Sequence, residues 1–176
     1  MPISQVRDPD SILLGLGVLG LAAWTDSTTP PGSPADFVDV GYIKGCTVAY
    51  SRETKDFESA GILVKRLVFR DRLTLTADWA EVSIDNLSSI IEGTLTSGSA
   101  LEFGGSRAIT RYAVRFEHTR SDEQLFTVNI WKAIPAGNFE LAFAEEEYIQ
   151  YPVEFSAEAD STRAAGRQYG SFRVHT

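Results

Sequence analysis

Period-two alternation of apolar and polar residues organises most of the chain. In KRLVFRDRLTLTADW, residues 65–79, Leu67, Phe69, Leu73, Leu75, Ala77 and Trp79 share one parity, while Arg66, Arg70, Arg72, Thr74, Thr76 and Asp78 share the other. Successive side chains of a strand point to opposite faces, so the first set is expected to turn to a core and the second to solvent. AITRYAVRFEH, residues 108–118, sets Tyr112, Val114 and Phe116 against Arg111, Arg115 and Glu117 in the same way. EYIQYPVEFSAEAD, residues 147–160, sets Ile149, Tyr151, Val153, Phe155 and Ala157 against Gln150, Glu154, Ser156 and Glu158. Such half-buried segments are typical of antiparallel sheets. Further strands are expected at residues 40–50, 93–103, 125–132, 139–143 and 168–174.

One stretch has helical spacing. In SIDNLSSIIEG, residues 83–93, the apolar positions Ile84, Leu87, Ile90 and Ile91 fall on one side. Ser83 suits the N-cap, Asp85 suits the first turn, where the helix dipole favours an anion, and Gly93 suits the stop. A helix over about residues 84–92 is too short to stand alone and is expected to lie on a sheet. The predicted fold is therefore mainly β: an antiparallel two-sheet sandwich or barrel with one short flanking helix.

SILLGLGVLGLAAWTD, residues 11–26, contains Gly15, Gly17 and Gly20 in a G-x-G-x-x-G spacing. A dinucleotide site needs a strand before the first glycine and a helix after the last, its N-terminus aimed at the pyrophosphate. Here only four residues follow Gly20 before TDSTTPPGSPAD, residues 25–36, whose four prolines and glycines forbid regular structure and predict a long loop. The stretch is read instead as a first strand. Parity puts Ile12, Leu14, Leu16 and Val18 on one face and Leu13, Gly15, Gly17 and Leu19 on the other, and the glycines mark a close approach to the backbone by the helix or by another subunit.

The 176 residues are 43% hydrophobic and 11% aromatic, which suffices for one domain over 1–176 with a real core. The net charge of −8 argues against gripping nucleic acid by counterion release. The lone Cys46 cannot form an internal disulfide, and the apolar run before Trp24 is too short to span a bilayer. Asp8 and Asp10 outweigh Arg7 ahead of that run, unlike a secretion signal, so Asn86-Leu87-Ser88 is a chance sequon.

Catalytic constellations are scarce. His118 beside Glu117 at a strand end reads as solvated, and Glu145, Glu146 and Glu147 read as a solvated turn because consecutive strand residues diverge. Arg66, Arg70 and Arg72 read as partners in local or intersubunit ion pairs with Asp71, Asp78 and other acids. No catalytic, cofactor-binding or metal-binding residues are expected.

The order of features is similar to that of tail tube (major tail) proteins of long-tailed bacteriophages. The resemblance rests on the glycine-containing first strand, the Pro/Gly-rich loop, Val40-Gly41 followed by a strand to Tyr50, the polar segment 51–59, Gly61, and a long strand running into a short helix near Asp85-Asn86-Leu87. YPVEFSAEADSTRAAGRQYGSFRV, residues 151–174, is similar to the closing hairpin of that family. The resemblance implies a non-enzymatic virion protein forming hexameric rings that stack into a hollow tube. Through it would pass DNA and the tape measure protein, with tail terminator and distal tail proteins as further partners and no membrane insertion by this chain.

It also implies a loop or hairpin contacting the next ring, here Ser51, Arg52, Glu53, Thr54, Lys55, Asp56, Phe57, Glu58 and Ser59. Glu154, Glu158 and Asp160, on one polar strand face, are the expected lumen-facing acids. An acidic wall would repel phosphate and keep DNA from sticking. Closing a ring would also pair strand edges that are an aggregation liability in a monomer. Two other readings are a monomeric β-sandwich binding module using Trp24, Trp79 or Trp131 as a stacking platform, and a tube protein of a contractile tail or type VI secretion apparatus. Parity already places Trp79 in the core.

Overall fold

The computed structural model describes residues 17–25, 36–96, 99–105, 108–143 and 149–175. Among these, the chain runs β1 (Val18–Ala23), β2 (Val38–Asp39), β3 (Ile43–Ser59), β4 (Ile62–Trp79), α1 (Ile84–Ile91), β5 (Gly93–Thr96), β6 (Ala100–Phe103), β7 (Tyr112–Thr119), β8 (Leu125–Ala136), β9 (Tyr151–Ala157) and β10 (Gly170–His175). Eight strands form one antiparallel sheet in the order β2-β1-β7-β8-β9-β4-β3, with β10 attached to β8. β5 and β6 make a separate hairpin. The expected mainly β, sandwich-like fold with one short helix is what forms. Residues 11–16, the loop residues 26–35 and the triplet Glu145, Glu146 and Glu147 lie outside the described residues.

Alternation does its work where strands are flanked on both sides. Leu73, Leu75, Ala77 and Trp79 of β4 are buried with Tyr151, Val153 and Phe155 of β9, and Leu19, Leu21, Val114 and Ile130 complete the same cluster. The Trp79 ring meets Tyr151 edge-on at 5.9 Å and Phe155 at 6.4 Å. The Tyr151 hydroxyl donates to the Glu81 carbonyl at 2.7 Å, and burial pushes its pKa up to about 12.

Helix α1 starts as predicted. The Ser83 hydroxyl accepts from the Asn86 amide at 3.1 Å, and Leu87 and Ile90 pack against the core. Asn86 Nδ2 also donates to the Val40 carbonyl at 2.7 Å, tying the helix to the chain ahead of β3. The stop differs: the helix ends on Glu92 in the left-handed region (φ 54), and Gly93 opens β5 opposite Phe103.

Gly17 marks a close approach to the backbone, made by the chain's own β7 rather than by the helix. A Cβ there would collide with the Glu117 carbonyl and the Phe116 ring, so β1 presses on the chain's own β7. Only Leu19 and Leu21 of β1 face the core cluster, while Val18 is half exposed.

Several expectations need correction. Residues 93–103 are two short strands rather than one, because the chain turns between Thr96 and Ala100. Residues 139–143 form no strand: Phe139 and Leu141 pack side chain first against the core, with Phe139 edge-on to Tyr151 at 5.5 Å. His118 is buried, 5% exposed, rather than solvated: β7 lies between β1 and β8 and is covered on both faces, Ala113 and Arg115 of the other parity being buried as well as Val114. Residues 51–59 are strand rather than loop, being the outer half of β3.

Leu67 and Phe69 are exposed, against the parity expectation. The cause is that β9 flanks β4 only over Thr74–Trp79, so beyond that both faces of the hairpin are uncovered, and Val68 of the other parity is equally exposed (54%). The β3–β4 register also changes here. Glu53 pairs with Arg70 but Thr54 with Val68, which leaves Phe69 as an extra residue in β4, and Phe57 pairs with Lys65 but Glu58 with Leu63, which leaves Val64. Each bulge advances β4 by one residue and exchanges its two faces. Beyond Phe69, the parity that was core-facing at Leu73 and Leu75 points the other way.

Candidate assembly interface

β3 and β4 continue well past the body of the sheet. β9 pairs with β4 only over Thr74–Trp79, so residues 51–70 form a two-stranded arm with every residue exposed. At about 3.3 Å per residue, the nine residues 51–59 extend roughly 30 Å. Ala60 (φ 51) and Gly61 (φ 74) close the arm in a two-residue turn, and the positive φ at both positions suits the right-handed twist of the flanking strands. Large apolar residues remain exposed along it: Phe57 60%, Ile62 68%, Leu63 49%, Val64 59%, Leu67 49%, Val68 54% and Phe69 58%. An isolated two-stranded ribbon has no core of its own to cover such side chains.

The two faces of the arm carry different charge. Directly opposed residues of an antiparallel pair project to the same side. On the face continuous with the core, Arg52 pairs with Asp71 at 2.9 Å and Arg66 with Asp56 at 2.6 Å. Each guanidinium lowers the pKa of its carboxylate through the hydrogen bond it donates. These charges are compensated.

The opposite face carries Arg72 across from Ser51, Arg70 across from Glu53, Lys55 across from Leu67 and Lys65 across from Phe57. The Lys55 ammonium lies 4.3 Å from the Phe69 ring centre. Four cations thus stand with one carboxylate among Phe57, Leu67 and Phe69. Residues 51–72 as a whole hold six cations and four carboxylates on a chain of net charge −8, so the body is more acidic than the whole.

The other proposed acids are dispersed. Glu154 lies on β9 opposite Thr76, on the face away from the core. The strand ends at Ala157, so Glu158 and Asp160 leave its face. Glu158 accepts from Arg111 at 2.8 Å and sits 3.0 Å from Lys132, and these cations hold its pKa down. Asp160 is 3% exposed. Burial alone would raise its pKa, but the Thr162 hydroxyl (2.6 Å) and amide (3.1 Å) and Arg163 (3.1 Å) together bring it below the ordinary value. Both acids are engaged within the subunit.

A feature that alternation did not reveal lies at the opposite end of the hairpin from its tip. Val18, Asp39, Tyr42 and Glu81 line an open hollow of about 510 Å³ at the base of β3, with the Glu81 carboxylate lying over Gly41. Val18 and Tyr42 there are 51% and 81% exposed. The hollow is assembled from β1, β2 and the segment after β4, so no single stretch announces it. Between β4 and β10 runs a second groove of about 310 Å³ that includes Tyr50, Asp71, Tyr169 and Phe172. Among the described residues, no group of three or more His, Cys, Asp or Glu converges as metal ligands would.

No protein-family model matches the chain, and no curated protein matches it in sequence. Seventeen chains of solved structures match. One belongs to the cryo-EM structure of the anti-feeding prophage (AFP) baseplate, 6-fold symmetrised; it has a TM-score of 0.52 and 11% identity, with 97% of each chain covered. At that identity the likeness establishes a shared fold.

Proposed function

We propose that this protein is a non-enzymatic structural subunit of a phage tail or tail-like particle, built as homohexameric rings that stack into a hollow tube. The observation that carries this reading is the β3–β4 arm: twenty exposed residues whose apolar side chains the subunit itself leaves uncovered. A protruding apolar ribbon of this size calls for a partner. The fold shared with a chain of a sixfold prophage baseplate supports a place in such a particle, and it suits a contractile apparatus as well as a long-tailed phage. In this reading DNA and a tape measure protein pass along an acidic lumen to which Glu154 contributes, and terminator and distal tail proteins close the ends.

The test replaces residues 53–70 by Asn-Gly. Arg52 and Asp71 are directly opposed, so a two-residue turn bridges them in register. The shortened subunit is expected to fold, with a cooperative unfolding transition and the near-UV signature of the buried Trp79, and to remain unstacked in light scattering and electron microscopy. Tube growth by this variant would refute the arm as the stacking element.

A further inference from the structure

We infer that the arm of one copy docks through its basic face into the hollow lined by Val18, Asp39, Tyr42 and Glu81 at the base of the hairpin of a second copy. The inference rests on the stacking reading above and names the surface that receives the arm.

Three independent observations meet here. The first is charge. Lys55, Lys65, Arg70 and Arg72 share one face of the arm with a single carboxylate, whereas the hollow presents Asp39 and Glu81 and the body as a whole is acidic. The second is apolar match. Phe57, Leu67 and Phe69 are about half exposed or more on the arm, and Val18 and Tyr42 are so at the hollow, so one contact covers both sets.

The third is direction. The hollow adjoins Ile43, where β3 begins, and the tip lies at Ala60-Gly61, just past its end. The strand's 17 residues separate the two by roughly 55 Å. The receptor therefore lies at the base of the hairpin, and the donor residues, from Arg72 opposite Ser51 to Lys65 opposite Phe57, lie along its outer part. A contact between these unlike surfaces is heterologous and propagates head to tail along the hairpin axis, which is what stacking of successive rings requires. A two-fold pairing of arms would instead bring like charges together and stop at a dimer.

The test uses charge reversal in the full chain. Lys55→Glu with Lys65→Glu on the arm, or Glu81→Lys in the hollow, is expected to raise the concentration needed for stacking at least tenfold at low salt, with melting temperatures unchanged because all three positions are exposed. Combining the three substitutions in one chain is expected to restore stacking, since the charges are then exchanged. Stacking by the Glu81→Lys variant at the wild-type concentration, alongside loss of stacking on arm deletion, would overturn the hollow as receptor while leaving the arm's role intact. Failure of the wild type to assemble at all would overturn both. Arm-dependent binding of wild-type protein to duplex DNA or to phosphatidylserine vesicles at 0.15 M salt, together with stacking indifferent to Glu81→Lys, would assign the basic face to another partner.

Discussion

Truncating Phe57 to alanine separates the stability of the subunit from that of the assembly. The Phe57 side chain is 60% exposed on the arm, so its removal takes little from the subunit, and an exposed substitution of this kind stays within about 0.5 kcal/mol. Burying a whole phenylalanine side chain contributes roughly 1.5–3 kcal/mol, so the part still exposed leaves about 1–2 kcal/mol to be gained against a neighbour. That corresponds to roughly a 5- to 30-fold weaker contact for the truncated residue. Dilution series followed by sedimentation and light scattering give the threshold concentration for polymer, which should rise by that factor. Calorimetry on the same samples should show an unchanged melting temperature. An unchanged threshold with an intact fold would refute the burial of Phe57 between copies, and a large fall in melting temperature would show that the arm belongs to the subunit's own core.

Other outcomes probe the fold and its charges. Phe155→Ala removes a fully buried ring from between Trp79 and the rest of the core and should cost about 3–5 kcal/mol in urea unfolding; a loss under 1 kcal/mol would place the core elsewhere. Asp160 has a folded pKa below its unfolded one, so the stability it contributes is full above the ordinary carboxylate range near pH 4 and is lost as acid takes the pH down through that range. Asp160→Asn should therefore lower stability at neutral pH and flatten its acid dependence, and an unchanged acid limb in pH-dependent melts would contradict the assignment. Burial pushes the Cys46 thiol up to about 11, so it should react slowly with a disulfide reagent at pH 8 until the protein is unfolded. Rapid reaction of the folded protein would show that β3 opens there.

The elements best legible in the sequence are those whose local and long-range demands agree. Leu73 to Trp79 alternate cleanly because β4 is paired there on both sides, by β3 and β9, and one face must be dry. Ser83 announces the helix because its hydroxyl satisfies an amide that no helical carbonyl can reach. The same alternation misleads at Leu67 and Phe69, since it runs on into a stretch that no third strand flanks and whose two faces are both exposed. The polar run 51–59 resembles a loop for a related reason: an arm without a core needs no alternation, and its strand is held by ladder pairing and by the Arg66–Asp56 and Arg52–Asp71 bridges. Glu158 and Asp160 share parity with Glu154, but the strand ends at Ala157 and their partners lie far along the chain or in the following turn. Half of the arm, residues 51–59, is located by the family resemblance, whereas the alternation reads its return strand as core-facing and the hollow is not legible at all. Val18, Asp39 and Glu81 meet only once β1, β2 and the end of β4 are in place.

If, as proposed, the uncovered apolar side chains of the arm join copies of this chain, stacked rings should form from the subunit alone. Negative-stain electron microscopy of the purified wild-type protein across a concentration series, paired with light-scattering mass, tests this most directly. Sixfold rings are expected and, at higher concentration, tubes of rings in register. A strictly monomeric species at every concentration, with the arm intact and folded, would contradict the proposal.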